Sequence, residues 1–305
     1  MKDSLSQPSP SVNPLSLAQL VCRAALPLDT LQVLELARHI WNGHDYIPFV
    51  WQEWLADAEG FLAVAEYGNR IAGLGKLTRL DDDEWWLEGL RVHPDFEGRG
   101  FATHIHQYLM GRWRSLGRGV VRLATASKRL AVHRICQKLG FRKVGEFGAY
   151  ERQTQSAGER VDFRPVAAEE LSAAFAFASQ SSLLPLSYHL VDLGWQWAKP
   201  RPAYLQRYIA ASQAYWWRNQ SGLLCAAEDD EDEVKSLLIR WVACAPQLLS
   251  DLLRDFACLA AQSGYSKAAW IAPMQTPILE ALTSAGYQSA WDFSLYIFEY
   301  AEEIN

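Results

Sequence analysis

Cysteine is scarce in this chain and provides neither a disulfide framework nor a zinc site. The 305 residues include five cysteines, an odd number, and no two of them form a Cys-x-x-Cys pair. Zinc sites need closely spaced cysteine and histidine ligands, and this spacing offers none. We therefore expect reduced, mostly buried thiols, no bound metal and a cytoplasmic location.

Long apolar runs and an excess of basic residues are also missing. No apolar stretch reaches the length that crosses a bilayer, and the first residues lack the apolar core of a secretory signal. The formal net charge of −6 disfavours a nucleic-acid partner, because phosphate binding normally needs a basic face. We expect neither a nucleic-acid partner nor a membrane partner.

One order of predicted elements occurs twice along the chain. Each time, a short strand and helices precede a hairpin, an acidic turn, another strand, a long helix, a strand, a short helix and closing strands. The acidic turns lie at 81–83 and 228–233. The repetition favours two copies of one layout over the alternative, a single α/β domain with extra strands.

The copies define the predicted domains. We expect a disordered tail over residues 1–17, a first domain over 18–152, a polar linker over 153–160 and a degenerate second domain over 161–305. The predicted fold class is α/β (α+β), with a central mixed sheet flanked by helices in each domain. In the first helix, Leu31, Leu34, Ala37 and Ile40 are predicted to face the core, and Asp29 to cap its start.

The segment LEGLRVHPDFEGRGFATHI, residues 87–105, carries the strongest chemical signal. A strand enters a turn that holds Gly98 and Gly100, and a helix follows directly. The first amides of a helix have no intrahelical partners, and glycine lets a ligand approach the backbone closely. The segment therefore predicts a pyrophosphate site, although glycines before a helix are more often only a turn and a cap.

The same string resembles motif A of the GNAT acetyltransferase superfamily. There, a Val-x-Pro step leads to a glutamine or arginine, then a glycine, then a glycine or alanine. The matching positions are Val92, Pro94, Glu97, Gly100 and Ala102. Glu97 departs from the pattern, because the family usually has glutamine or arginine at this position. An acidic side chain beside a pyrophosphate is unfavourable, and Arg99 can compensate for it in part.

A second signature of the superfamily is a helix that ends in a Gly-Phe step, and KLGF at 138–141 fits it. In the family, a tyrosine four residues before that glycine commonly protonates the departing thiolate. Cys136 occupies that position here. A thiol can donate a proton in principle, and the alternative is a small buried helix residue.

The resemblance implies an N-acetyltransferase with acetyl-CoA as co-substrate, in which an amine attacks the acetyl thioester directly. The implied acetyl-CoA contacts are Leu90, Val92, Glu97, Gly98, Arg99, Gly100, Phe101, Ala102 and Thr103. The backbone groups of Leu90 and Val92 should form hydrogen bonds with the pantetheine arm, which then lies beside the strand like an added strand.

A general base is needed, because most amines are protonated at neutral pH. Alternation along the strand places Glu84 and Glu88 on one face, close to the expected cofactor. We predict Glu88 as the base and Glu84 as the second choice. The alternative for each is a solvated or salt-bridged strand residue.

The acceptor amine should lie against the first two helices and the strand. The predicted wall residues are Trp41, His44, Asp45, Tyr46 and Trp86. Ordinary helix packing is the alternative for the aromatic residues. The string from Gly43 to Leu55 is similar to the branch that includes histidine N-acetyltransferase, which points to a small-molecule or amino-acid acceptor. A protein or peptide acceptor and a non-catalytic acetyl-CoA sensor stay open.

The second copy is not expected to bind coenzyme A. When Pro246 is aligned with Pro94, Arg240 takes the position of Glu88. The residues that follow, QLLSDLLRDF, contain no glycine, so bulky side chains begin the helix at once. The apolar pattern is retained, which predicts a packing role.

Overall fold

The computed structural model describes residues 17–154, 161–229 and 235–302. The predicted tail and linker lie almost wholly outside the described residues, as does most of the second acidic turn. Among the described helices, none is long and apolar enough to cross a membrane.

The described chain forms two compact units that do not correspond to one cut in the sequence. The first unit contains the residues up to Arg79 together with Leu87–Gly117. The second contains Leu80–Trp86 and the chain from Arg118 onward. The domain limits at 152 and 161, which concern the order of the sequence copies, stay a prediction.

The first unit is built on an antiparallel sheet with the order β1-β2-β3-β4. Its elements are β1 (Val21–Ala24), α1 (Thr30–Arg38), α2 (Ile47–Ala56), β2 (Phe61–Tyr67), β3 (Arg70–Asp81), β4 (Glu84–Val92) and α3 (Phe101–Leu116). The end of β3 and the start of β4 count with the second unit. Gly68 and Asn69 both have positive φ and close the β2–β3 hairpin, as their sequence predicts.

The buried face of α1 differs from the prediction. Leu31 is 82% exposed, while Val33 and Leu36 are fully buried. The buried stripe continues to Ala37 and Ile40 with helical spacing, and Leu31 falls outside it.

Asp29 is not a helix cap of the predicted kind, because its side chain makes no cap hydrogen bond. Its carboxylate instead accepts two hydrogen bonds of 2.8 Å from the Arg23 guanidinium and one from the Leu26 amide. The aspartate thus joins β1 to the loop before α1.

A glycine with positive φ interrupts β4. Gly89 has a φ of +65°, a conformation that other residues adopt only at a cost. A Cβ placed there would lie 2.5 Å from the indole ring of Trp54 on α2. The missing side chain therefore permits both the irregular strand and the close approach of α2.

The second unit contains a large mixed sheet flanked by helices, which confirms the predicted fold class. After the start of β4, its strand order is β5-β15-β6-β13-β12-β11-β10-β7, and β8 pairs with β9 separately. The elements are β5 (Val120–Ala126), α4 (Leu130–Lys138), β6 (Arg142–Gln153), β7 (Phe163–Pro165), α5 (Leu171–Ser179), α6 (Leu183–Leu186), β8 (Val191–Asp192), β9 (Trp197–Ala198), α7 (Pro202–Ala210), β10 (Ala214–Trp217), β11 (Gly222–Asp229), β12 (Ser236–Cys244), α8 (Leu249–Gln262), β13 (Lys267–Pro273), α9 (Thr276–Ser284), β14 (Gln288–Ser289) and β15 (Leu295–Ala301).

The last strand of the chain does not simply close the second copy. β15 lies between β5 and β6 and is antiparallel to both. β6 in turn pairs with β13. The sequence pattern predicts the strands themselves, but it carries no information on this exchange of partners.

A buried ion network joins three strands of the second unit. Arg122 on β5 and Glu84 on β4 are each about 1% exposed and form an ion pair. The same guanidinium contacts the Glu299 carboxylate on β15 at 2.7 Å. A buried arginine with two carboxylate partners fixes the register of these strands.

Loss of Arg122 should destabilise the protein strongly. We predict that Arg122→Met lowers the free energy of unfolding by about 3 to 5 kcal/mol, because the Glu84 charge is left buried without its partner. The matched control is Arg38→Met, which removes the exposed pair with Glu35 and should cost less than about 1 kcal/mol. Urea unfolding measures both. Equal effects of the two substitutions would contradict the structural role of Arg122.

A side chain at position 89 should be tolerated poorly. We predict that Gly89→Ala costs roughly 2 to 4 kcal/mol, from positive φ together with contact against Trp54. Gly68→Ala is the control, because Gly68 has a φ of +56° but no heavy atom within 4 Å of a new Cβ. It should cost only ~1 kcal/mol in the same unfolding experiment. A cost at position 89 no larger than at position 68 would show that Trp54 yields freely.

Candidate active site

The predicted phosphate loop lies at the start of α3. After β4, a short turn at Pro94–Phe96 leads to Gly98, with a φ of +70°, and to Gly100, with a φ of +86°. The helix begins at Phe101, as the sequence predicts. Both glycines are therefore needed for the path of the backbone.

The loop is open to a ligand. Residues 97–100 are exposed, and a Cβ at Gly98 would meet no heavy atom within 4 Å. At Gly100 it would meet only the Leu17 side chain, at 3.5 Å. The first amides of α3 point out of the helix with the positive end of its dipole, so the loop fits a pyrophosphate.

The buried side chain of Phe101 anchors the loop. Its ring is buried and stacks on Phe96, with ring centroids 5.3 Å apart, and it also contacts Tyr67. Only the backbone of Phe101 is therefore suited to a ligand. Glu97 and Arg99 are exposed and lie on the loop itself.

Leu90 and Val92 lie on an edge strand of the first unit. β3 is the neighbour of β4 in that unit, and the register of β4 with β5 covers only Glu84–Trp86, which belong to the second unit. The other edge of β4 beyond Leu87 has no strand partner within the described first unit. Such an edge can receive an extended amide-bearing ligand.

Glu88 is half-buried on β4, immediately before Gly89. Its carboxylate oxygen Oε1 accepts a hydrogen bond of 2.5 Å from the Thr78 hydroxyl on β3. Burial is the largest effect on the pKa of the Tyr46 phenol and raises it. Arg91 lowers this pKa, and the negative charge of Glu88 raises it. Glu88 thus lies close to the predicted acceptor wall.

Glu84 has a different environment. It belongs to the second unit and forms the buried ion pair with Arg122. A carboxylate that is 1% exposed and neutralised by arginine is poorly placed to exchange protons with an acceptor. The salt-bridged alternative describes Glu84 better than the role of a base does.

Trp86 and Cys136 are also buried in the second unit. Trp86 is 2% exposed and packs against Trp197 and other apolar side chains of its core. It is therefore a core residue and not part of an exposed acceptor wall. Cys136 is fully buried on α4, and burial raises the pKa of its thiol to about 12. This environment favours the packing alternative.

Asp45 holds the residues of the predicted acceptor wall in place. Its carboxylate accepts two hydrogen bonds from the Arg91 guanidinium, at 2.9 and 3.0 Å, and a third from the Ile47 amide. The same guanidinium lies 4.2 Å from the Trp41 ring centroid and 5.0 Å from that of Tyr46. Asp45 is buried, so it positions its neighbours and does not itself face a ligand.

The residues before Asp45 form a strained turn. Trp41, Asn42 and Gly43 all have positive φ, which is unusual for a bulky side chain. Trp41 is nevertheless 43% exposed, and His44 is exposed beside it. Strain that presents an aromatic side chain to solvent is typical of binding sites.

The second copy lacks the corresponding features. The turn from β12 to α8 contains no residue with positive φ, and the helix starts at Leu249 in a fully buried position. Arg240 is buried and pairs with Asp192 at 2.8 Å.

Sequence reasoning missed Arg91, Thr78 and Gly89. Arg91 had a usable signal, since a charged residue between Leu90 and Val92 on a strand needs a buried partner. Gly89 also had one, since a glycine inside a strand often marks a bulge or the close approach of another element. Thr78 had none, because its role depends on which side chain of the neighbouring strand faces it.

Comparison with known proteins finds similar sequences over the region that contains the candidate site. Residues 28–141 match the sequence model of the Acetyltransferase (GNAT) family. Histidine N-acetyltransferase from Oreochromis niloticus is 33% identical over 89 residues, which are 29% of this chain and 26% of that protein. The chain thus matches about a quarter of the length of its curated relatives.

Solved structures give the fold. A GCN5-related N-acetyltransferase from Sphaerobacter thermophilus has a TM-score of 0.63 and 12% identity, covering 92% of this chain and 95% of that one. A tandem GNAT protein from the clavulanic acid biosynthesis pathway has a TM-score of 0.59 and 10% identity, covering 92% and 97%. The family match includes both the glycine-bearing loop and the KLGF step, so this part of the chain is similar to the GNAT acetyltransferase family.

Proposed function

We propose that this protein transfers the acetyl group of acetyl-CoA to the amine of a small molecule or amino acid. The observation that carries the proposal is the open, positive-φ loop at Gly98 and Gly100, which follows a strand bearing Glu88. The Glu88 carboxylate, the unpaired edge of β4 at Leu90 and Val92, and the loop suited to phosphate follow one another along a single stretch of chain.

The cofactor would bind in two parts. Its pyrophosphate would accept hydrogen bonds from the amides of residues 98–103, and the dipole of α3 would stabilise the negative charge. The pantetheine amides would pair with the backbone of Leu90 and Val92 on the exposed edge of β4. When bound, acetyl-CoA supplies the acetyl thioester that the amine attacks.

Glu88 would act as the general base. It accepts a proton from the acceptor ammonium, directly or through water, so that the neutral nitrogen can form the bond to the acetyl carbon. As the carbon–sulfur bond breaks, the nitrogen would lose its second proton to water, and the departing thiolate would take up a proton from water. Arg91 and Asp45 keep Trp41 and Tyr46 in position to bind the acceptor.

The class of acceptor rests on two observations. Trp41 and Tyr46 form an aromatic wall that includes the Arg91 guanidinium, and an aromatic wall of this kind suits a small ligand. The relatives named histidine N-acetyltransferase support an amino acid as acceptor. Release of free thiol from acetyl-CoA, measured with pooled amino acids and small amines, tests the proposal, and L-histidine is the first single amine to test.

Acetyl-CoA should bind once per chain, at the Gly100 loop. We predict that Gly100→Glu abolishes binding in isothermal titration, because it adds bulk and negative charge beside the pyrophosphate. Gly264→Glu is the matched control, since Gly264 also has positive φ and open surroundings but lies after α8. It should leave one site of unchanged affinity. Two sites, or one that survives Gly100→Glu in a folded protein, would contradict the assignment.

Glu88→Gln should lower turnover at neutral pH while acetyl-CoA affinity stays the same. A loss of about 10²-fold or more is expected for a general base. The loss should shrink as pH rises, because more of the acceptor is then already neutral. Rates from pH 6.5 to 9.5, with Glu84→Gln examined for folding in parallel, measure this. Full activity of Glu88→Gln at pH 7 would move the role elsewhere.

A further inference from the structure

The hydrogen bond between Thr78 and Glu88 has a role in the reaction. We propose that Thr78 is a positioning residue, whose hydroxyl fixes the direction of the Glu88 carboxylate. This inference rests on the proposed function, because it assumes that Glu88 is the base.

The geometry favours this role over simple packing. The Thr78 hydroxyl is 2.5 Å from Oε1 of Glu88, and both side chains are only partly buried. They lie on neighbouring strands, β3 and β4, so the hydroxyl approaches from a rigid element. A carboxylate held at one oxygen has its second oxygen fixed in direction as well, which a proton acceptor requires.

Gly89 makes such a restraint useful. A residue with a φ of +65° follows Glu88, so the backbone departs from the regular strand path directly beside this side chain. The Trp54 ring covers Gly89 from the side of α2. Thr78 therefore provides an orienting contact from the other neighbour of this strand segment.

The charged groups around Glu88 do not replace this contact. Tyr46, at the start of α2, interacts electrostatically with Glu88 and Arg91. Arg91 directs two of its nitrogens to Asp45, and its Nη1 lies 3.2 Å from the Leu90 carbonyl. The positive charge of Arg91 is thus paired mainly with the Asp45 carboxylate in the predicted acceptor wall. The Thr78 hydroxyl is a neutral donor to Glu88, so substitution can remove it without changing any charge.

Thr78→Val removes the hydroxyl and keeps the branched shape. A donor to a carboxylate favours its ionised form, so its loss should raise the midpoint of the Glu88 titration by about one pH unit. Carboxyl-carbon NMR of the labelled full chain measures that midpoint, and Glu88→Gln identifies the signal. Thr78→Ser should restore the original midpoint.

Turnover gives a second readout. With L-histidine and pooled small amines as acceptors, Thr78→Val should reduce kcat at pH 7 by roughly tenfold and leave the KM for acetyl-CoA unchanged. The acidic limb of the pH profile should move upward, and Thr78→Ser should recover most of the rate. In the Glu88→Gln background, Thr78→Val should have no further effect, since the two residues act as a unit.

The control is Thr154→Val. It removes a hydroxyl that donates to the Tyr265 carbonyl at 2.7 Å at the end of β6. It should change neither the titration nor the pH profile. An unchanged Glu88 midpoint in Thr78→Val overturns the positioning role even if Glu88→Gln is inactive. A shifted midpoint with a fully active Glu88→Gln instead overturns the proposed base and leaves the contact itself established.

Discussion

The positive φ of Gly89 is the constraint on which the candidate site depends. It interrupts β4 directly after Glu88, and its missing side chain admits the Trp54 ring of α2. Trp54 in turn contacts Tyr46 edge to face, so the acceptor wall is placed relative to the strand through this one position. The other parts of the site, from Thr78 to the Arg91–Asp45 pair, are arranged around a strand that already has this shape.

Local signals in the sequence were sufficient for most elements and for the loop. The Gly68-Asn69 turn, the start of α3 and its buried residues Ile105, Leu109 and Trp113 are each determined by neighbours within a few positions. Alternation and helical spacing report which residues are apolar together, and that is enough to place an element. These patterns do not determine which residues of a helix are buried. Leu31, for example, was expected to face the core and is exposed.

Long-range pairing was beyond such signals. Glu84 and Glu88 have the same residue type on the same strand, and the pattern placed them on one face. Only Glu84 meets Arg122, which lies 38 positions away and is itself bound by Glu299. Trp86 is likewise assigned to a core by its contact with Trp197. A sequence pattern cannot distinguish a carboxylate that is buried in an ion pair from one that faces a ligand. The difference depends on the residue that lies opposite the carboxylate in the fold, and that residue is distant in the sequence.

The retained core of the second copy has a physical explanation in β15. This strand pairs with β5 along its whole length, from Leu295 opposite Ala126 to Ala301 opposite Val120. By sequence order, β5 belongs to the predicted first copy and β15 to the predicted second copy. The fifth strand of the first copy is therefore paired with the last strand of the second copy. The predicted second copy has no glycine at the position of the loop, and this pairing does not depend on one. Substitutions that broke its apolar strands would expose an edge of β5 and leave Arg122 without Glu299. The strands of the predicted second copy are therefore needed to pair β5, and this role does not require that copy to bind a ligand.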